Sequence, residues 1–306
     1  MIRPLYPTDL FSLLFSSKRM LPNQAMAWDS LSKRSPLSPQ AFLEHWLPLR
    51  GRRHTWICLE RGHISGLVSV RSCSGPTAWQ IDYLHADDER CLALLDMVSA
   101  AAAEQGVRKL FLRLPLDSPL TDGARRAGFS SYATDYIYRY GGEGGQRAAE
   151  VPGPYLLRPR ASGDEYVLFD LCSAALPIPV RTAEGMTLRE WQETRDRGFW
   201  QEQRREFVLE KQGSLVAWLR VNASRGVGCF EIMFHQLDED GLEWLVNYGL
   251  MCLDGKSPIV CVASASQERL LRLLEELEFE KVAQSTKMVK ELAIRIEEPS
   301  FMPVQA

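Results

Sequence analysis

The sequence has no surplus of positive charge: 36 Lys and Arg stand against 39 Asp and Glu, a formal charge of -3 over 306 residues. Nucleic-acid binding and adhesion to anionic membranes both draw on a basic excess, so neither partner class is expected. Long apolar runs are also missing; those present are too short and too often interrupted to cross a bilayer. The seven cysteines (58, 73, 91, 172, 229, 252 and 261) contain no CxxC pair. An odd count without a secretory leader predicts small core residues in a reducing compartment, hence a cytoplasmic location, and neither disulfides nor a zinc site. The five histidines (45, 54, 63, 85 and 235) show no HExxH or similar spacing, so no metal is expected. No GxSxG elbow and no Walker phosphate loop occurs. A composition of 45% hydrophobic and 25% charged residues excludes a mainly disordered chain.

What is present points to two domains. The length is about twice the roughly 150 residues of a common domain. The strongest punctuation is Gly141-Gly142-Glu143-Gly144-Gly145, leading to Pro152-Gly153-Pro154. Such a run costs much backbone entropy if ordered and offers no side chains to pack. It predicts a first domain over 1–142, a linker over 143–153 and a second domain over 154–296. The halves also echo each other. Ile2-Arg3-Pro4 with Asp9 answers Leu157-Arg158-Pro159 with Asp164, and residues 57–61 answer 207–211. His85 before Asp87-Asp88-Glu89 answers His235 before Asp238-Glu239-Asp240, and Gly128-Phe129 answers Glu278-Phe279. Matches in one order at a spacing near 150 indicate duplication of a single fold and not a short solenoid repeat.

Periodicity supplies the elements of one unit. In the first half an entry strand at 1–5 is followed by helical regions near 7–28 and 38–48, the latter with Ser38 as cap and Pro39 in its first turn. A hairpin over 55–60 and 64–72 and a strand over 78–85 lead into a buried helix over 91–104 that stops at Gly106. A strand at 109–114, a helix at 118–127 and a strand at 132–140 complete the unit. The second half predicts strands at 155–159, 206–210, 214–221, 228–235, 258–263 and 282–290, with helices at 240–253 and 266–277. The irregular stretch 170–203, with Trp191 and Trp200, is expected to supply helices and a long loop over one face.

This order resembles the acetyl-CoA-dependent N-acyltransferase superfamily (the GNAT fold), present twice. The resemblance implies an α/β (α+β) protein of two tandem GNAT-like domains. Each would have a mixed, mainly antiparallel central sheet flanked by helices. It further implies acyl transfer from acetyl-CoA or another acyl-CoA to a small-molecule amine. The family's Arg/Gln-x-x-Gly-x-Gly/Ala loop lets backbone N–H groups at a helix start hold a pyrophosphate. The matching stretches here are 86–93 and 237–243. Both lack the glycine spacing and carry three consecutive carboxylates, which can satisfy the helix N–H groups themselves and repel phosphate. The tyrosine that often protonates the thiolate in this family is also replaced, by Ala124 and Leu274. Tyr132, Tyr136, Tyr138 and Tyr140 follow at the two-residue period of a strand.

Candidate residues follow from the resemblance. His85 and Asp82 would serve as base or amine-binding groups in the first half, against the alternative of a capped strand-end histidine and a solvated strand carboxylate. Tyr83, Leu84 and Arg90 would contact the cofactor, Arg90 being the one basic residue beside the first loop. Since residues 236–254 hold no basic residue, the first half is the expected home of any surviving cofactor site. Glu231, Phe234 and His235 would line the second domain's cleft. Cys91 and Cys252 read as core thiols. Three readings stay open: an atypical N-acyltransferase, a non-catalytic ligand- or protein-binding module, or one working half supported by the other. An open gap between the strands ending at His85 and beginning at Lys109 separates the first two, because pantetheine needs that space.

Overall fold

The computed structural model describes residues 1–6, 8–9, 22–26, 53–61, 63–142, 150–195, 204–224 and 227–293. The helix expected near 38–48, most of the one expected near 7–28, most of the 143–153 linker and Trp200 lie outside the described residues. The described residues 22–26, expected to be helical, are not helical because their backbone groups bond the strands at Leu84 and Arg113. The described elements of the first half are β1 (Ile2–Pro4), β2 (Arg53–Glu60), β3 (His63–Ser72), β4 (Ala78–His85), α1 (Asp88–Glu104), β5 (Lys109–Pro115), α2 (Thr121–Arg126) and β6 (Ser130–Tyr140). The second half has β7 (Tyr155–Pro159), a 3-10 turn (Ser162–Asp164), α3 (Glu165–Ala175), α4 (Ile178–Glu184) and α5 (Leu188–Thr194). It continues with β8 (Arg204–Lys211), β9 (Ser214–Ser224), β10 (Val227–Phe234), α6 (Glu239–Cys252), β11 (Ile259–Ser264), α7 (Glu268–Glu276) and β12 (Phe279–Glu291). The expected mixed and mainly antiparallel architecture is present, and 170–203 includes parts or all of three helices where a loop was also expected.

The two halves share one sheet. Its order is β1-β2-β3-β4-β5-β12-β6-β11-β10-β9-β8-β7. Each half therefore sends its last strand into the other: β12 pairs antiparallel with β5, and β6 with β11. At the centre β6 and β12 pair with each other, placing Asp135 opposite Ser285. Those two positions are 150 residues apart, so the repeat spacing read from the sequence locates the pseudo-twofold axis of the sheet. The same offset relates the two parallel pairings. Residues 78–80 of β4 face 109–111 of β5, and 228–230 of β10 face 259–261 of β11.

Burial explains the placement of the helices. In α1, Cys91, Leu94, Leu95, Val98 and Ala102 form one stripe at helical spacing and are buried against β3 and β4 residues such as Val68, Val70 and Ile81. In the second half Leu242, Leu245, Val246 and Leu250 of α6 join Leu270 and Leu274 of α7 over Leu219, Phe230 and Ile232. The other face of the second half is covered by α3 and α5, through Leu168, Leu171, Cys172 and Trp191 against Val208 and Trp218. All seven cysteines are free thiols. Among the described residues no helix is long and apolar enough to cross a membrane.

Two of the repeated motifs now have a physical cause. Arg3 grips Asp9 with both Nη atoms at 2.7 Å, and Arg158 grips Asp164 at 2.7 and 2.8 Å. In each case the carboxylate also accepts a backbone N–H, from Tyr6 or Ala161, which ties the first strand to the chain that follows it. The arginine hydrogen bonds hold both carboxyls below their ordinary range, against the opposing effect of burial. The Gly-Phe motif closes α2: Gly128 takes φ 87° while its N–H donates to Arg125 O and that of Phe129 to Ala124 O. Glu278 takes the corresponding position after α7 at φ 60°, a left-handed conformation that costs a non-glycine residue about 1–2 kcal/mol.

Strand exchange makes the halves mutually dependent. A 1–142 fragment lacks β12, leaving unpaired edges on β5 and β6. It should aggregate or dimerise by pairing two copies of β6, which size exclusion with light scattering detects; a folded monomer would contradict the exchange. The Arg–Asp grips add an acid dependence. Because the folded carboxyl pKa values lie below the unfolded one, their contribution is complete above about pH 4 and disappears as pH falls through the folded values. Thermal denaturation across that range should show a flatter acid limb for Asp9→Asn and Asp164→Asn than for the wild type.

Candidate functional site

The parallel pairs β4–β5 and β10–β11 each stop after three residues, at Gln80/Phe111 and Phe230/Cys261. Beyond those points the strands diverge, which creates the two gaps that the duplicated architecture predicts. The gaps differ in what occupies them.

In the first half, residues 22–26 cross the gap. The Gln24 N–H donates to Leu84 O at 2.8 Å on β4, and the Met26 N–H donates to Arg113 O at 2.8 Å on β5. Asn23 completes the bridge: its Nδ2 donates to Asp82 O at 2.9 Å and its Oδ1 accepts the Leu84 N–H at 3.0 Å. Ala25 is 2% exposed and joins the core beneath α1. The strand polar groups that an incoming chain-like ligand would need are thus used by the protein's own backbone. In the second half, a side chain makes the crossing. Gln267 Nε2 donates to Ile232 O at 2.7 Å, while its Oε1 accepts the Ser264 N–H at 3.0 Å. Ile232 O stands 150 positions after Asp82 O, so one amide replaces what a chain segment does in the first half.

The acidic loops behave as helix caps. Asp87 Oδ1 accepts the Arg90 N–H at 2.9 Å at the start of α1, and Asp238 Oδ1 accepts the Gly241 N–H at 2.9 Å at the start of α6. Each carboxylate has further partners. Arg90 bonds both Asp87 and Glu60, and Arg126 bonds Asp88. Tyr155 donates to Asp238, whose Oδ2 also lies 3.3 Å from Lys211 Nζ. Lys211 and Arg269, which donates to Leu237 O at 2.7 Å, bring basic groups to the second loop from distant sequence.

The sequence-predicted residues fall in different places. His85 ends β4 with Nδ1 3.1 Å from Pro22 O; burial lowers its pKa, opposed by that carbonyl and by Asp87. Asp82 is the extra residue of a bulge in β4, since Ser69 faces Tyr83 and Val70 faces Ile81. It is 1% exposed, paired with Arg53 and 3.6 Å from Arg71 Nε. Tyr83 packs in a small core with Leu5, Ile57 and Leu67, where burial raises its pKa. Leu84 presents its backbone to the 22–26 segment, and Arg90 is engaged by Asp87 and Glu60. In the second half Glu231 lies 3.1 Å from Arg220 Nη1. Phe234 packs at the edge of the second core with Arg269 above its ring, and His235 is exposed, its backbone N–H donating to Val216 O. Ala124 and Leu274 are fully buried. Among the described residues no group of three or more His, Cys, Asp and Glu is arranged to hold a metal.

Sequence reasoning missed a cavity of about 200 Å³ on the sheet face opposite α1 and α6. Glu231, Ile232 and Gln267 of the second gap line it, as do Met26 and Arg113 beside the first. Its polar groups come from strands throughout the sheet. Directly paired residues supply several of them: Arg71 beside Gln80, Arg113 beside Lys287, and Arg220 beside Glu231. Lys287 Nζ bonds Glu184 Oε1 at 2.5 Å, and Tyr132 Oη donates to that oxygen at 3.2 Å. Of the four spaced tyrosines, Tyr132 lines this cavity, and burial holds its hydroxyl in the protonated form. Isolated basic residues on scattered strands left no local motif: β9 carries Arg220 alone among charged residues, and Arg113 and Lys287 stand on strands far apart in sequence.

Removing Asp82 separates its structural and chemical readings. Asp82→Asn leaves Arg53 and Arg71 without their buried carboxylate, which should cost about 3–5 kcal/mol in thermal or urea unfolding. An unchanged midpoint would show that the buried pair does not hold this part of the sheet.

The sequence matches no protein-family model, and no curated protein is similar to it at the level of sequence. Solved structures do resemble it. A GCN5-related N-acetyltransferase from Sphaerobacter thermophilus is 14% identical and superposes with a TM-score of 0.54, covering 95% of each chain. A tandem GNAT protein from the clavulanic acid biosynthesis pathway is 12% identical with a TM-score of 0.54, covering 95% of this chain and 98% of its own. A putative acetyltransferase from Pyrococcus horikoshii is 13% identical with a TM-score of 0.50, covering 96% and 90%. At such identities the similarity speaks to architecture, and that architecture extends over both halves. The chain has the fold of the GCN5-related N-acetyltransferases, in two tandem GNAT-like domains.

Proposed function

We propose that this protein is an N-acyltransferase of GNAT type with one working half, the second, and a first half that supports it. The observation that carries this reading is the difference between the gaps: residues 22–26 fill the first, whereas Gln267 alone among the described residues bridges the second. The assignment reverses the expectation based on Arg90, because a basic residue beside the loop is of no use when the adjoining slot is filled by backbone.

An acyl-CoA has two parts to accommodate. The strand edge of β10 and the space beside Gln267 suit an extended thioester arm. The start of α6 does not suit a diphosphate in the usual way, because Asp238 already accepts the Gly241 N–H. Among the described residues Lys211 and Arg269 bring cations beside that start, and no step is routed through the phosphates. Bound acyl donor would supply an activated carbonyl to an amine. Glu231, held by Arg220, would take a proton from the ammonium of a small-molecule acceptor, leaving a neutral amine whose lone pair forms the C–N bond; the C–S bond would break to release the CoA thiolate, which would take up the proton shed by the new amide nitrogen. The cavity adjoining the second gap provides the acceptor's space. Neither nucleic acid nor a membrane is required by this reading.

The capped helix starts favour a second reading, a non-catalytic GNAT-fold module that binds a small ligand or a protein. Phosphate binding at a helix terminus relies on free N–H groups, and in both halves an aspartate takes that place.

Calorimetric titration with acetyl-CoA distinguishes the two. The first reading predicts saturable binding at one site per chain, weakened at least tenfold by Ser264→Trp in the second gap and unchanged by Arg90→Ala. Absence of binding at millimolar acetyl-CoA would leave the binding module as the function.

A further inference from the structure

We propose that the cavity over the middle of the sheet binds a small neutral carboxamide with an aromatic or apolar body, and that Trp218, Arg220 and Glu231 recognise its amide group. The inference stands whether or not the protein transfers acyl groups; if it does, the carboxamide is a handle carried by the acceptor.

Strand register assembles the three residues. Trp218 and Arg220 stand two positions apart on β9, so their side chains leave the same face of the sheet. On β10, Glu231 faces Arg220 and Met233 faces Trp218. All four line the cavity. Glu231 is thus the diagonal neighbour of Trp218, and Cα atoms of such neighbours stand about 7–8 Å apart. One amide group between the two side chains can reach both with a hydrogen bond to each.

Two buried donors of this set have no acceptor among the described residues: Trp218 Nε1 and Arg220 Nε. Glu231 does not answer the second, because it meets the guanidinium at Nη1, 3.1 Å away. Trp218 is 6% exposed, and the guanidinium carbon of Arg220 lies 4.6 Å from its ring centre, so both N–H groups belong to one spot beside the cavity. Buried N–H groups nearly always have an acceptor in folded proteins, since one left without is costly. A carbonyl oxygen carries two lone pairs, one for each donor.

The third residue distinguishes an amide from other carbonyl groups. Arg220 already has an ionic partner in Glu231, so what its Nε and the indole lack is a lone pair and not a counter-charge. A ligand carboxylate would enter beside Glu231 and meet like charge in a partly dehydrated space. Glu231 can itself take further N–H groups, because an ionised carboxylate offers about four lone-pair sites. A carboxamide presents its oxygen and its N–H side by side, the first to Trp218 and Arg220 and the second to Glu231. An ester or ketone would fill the oxygen's place and leave Glu231 unused.

The rest of the lining sets the body of the ligand. Leu176, Val180, Trp191 and Met233 line the cavity, and of these Leu176, Trp191 and Met233 pack in the same apolar cluster as Trp218. The cavity's 200 Å³ equals the volume of about seven waters, room for one ring and a carboxamide. Water alone would satisfy the donors but leave the apolar lining unused.

Benzamide is a suitable probe, in calorimetry on the full-length protein at constant ionic strength and without acetyl-CoA. Saturable benzamide binding is expected. Thiobenzamide, whose sulfur is a weaker acceptor, and methyl benzoate, which has no N–H, should each bind about fivefold more weakly, the worth of one hydrogen bond. Benzoate should bind at least tenfold more weakly. Trp218→Phe keeps an aromatic ring and removes the indole N–H. It should weaken benzamide about fivefold and bring benzamide and thiobenzamide within about twofold of each other, a convergence that lost packing alone would not produce. Circular dichroism confirms that the variant is folded, and the wild-type probe series decides the matter without it. No saturable benzamide binding, benzoate or methyl benzoate as tight as benzamide, or an unchanged benzamide-to-thiobenzamide ratio in folded Trp218→Phe would overturn the proposal. Because acetyl-CoA is absent, failure here leaves the acyltransfer reading standing, and the reverse also holds.

Discussion

The pairing of β6 with β12 is the constraint on which the rest of the molecule depends. Each strand ends one half of the sequence and lies inside the sheet of the other, with Asp135 facing Ser285 at the centre of approximate symmetry. Two separate sheets would each have kept their own edges and faces. Joined through these strands, they become one continuous surface, and side chains 150 residues apart in sequence meet over its middle. The cavity lies there because the sheet is shared. Its polar lining draws on strands that neither half could bring together alone.

Approximate symmetry makes the differences between the halves informative. The Arg–Asp grips at Arg3 and Arg158 are kept, as are the capped helix starts at Asp87 and Asp238 and the short parallel pairings. The gaps are not. One is closed by backbone atoms of residues 22–26, and the other is bridged by the amide of Gln267. Backbone closure uses several groups along the edges of both strands, whereas the side-chain bridge uses one carbonyl of β10 and one N–H of β11 and can swing aside through rotamer change. A similar contrast appears at the axis itself. Asp135 sits against Arg113 and Lys287, while Ser285 presents a buried hydroxyl.

Much of the fold was legible because local signals carry it. Alternating apolar residues gave the strands, the stripe from Cys91 to Ala102 gave α1, and the Gly128-Phe129 ending gave the stop of α2. Carboxylates at Asp87 and Asp238 could be read as caps from position alone, since short-range hydrogen bonds need only neighbouring residues. The candidate site was far less legible. Asp82 reads as a candidate base or amine-binding group, or else as a solvated strand residue; a bulge and two arginines bury it instead. Residues 22–26 fell inside a stretch expected to be helical, and nothing local announces a segment whose partners are Leu84 and Arg113. Lys211 and Arg269 escaped a search for basic residues near the second loop because they arrive from other strands and helices.

By itself the sequence determined the repeat, its spacing of 150, the order of elements and the negative helix caps. Each follows from periodicity or contacts within a few residues. The tertiary structure decided how each gap is crossed, where the last strands go and which polar side chains meet over the middle of the sheet. Those outcomes depend on long-range pairing, in which a single strand register sets the neighbours of Arg71, Arg113, Arg220 and Lys287 at once. Charge summed along a chain carries no trace of that arrangement, because strand pairing decides which side chains meet without changing their number.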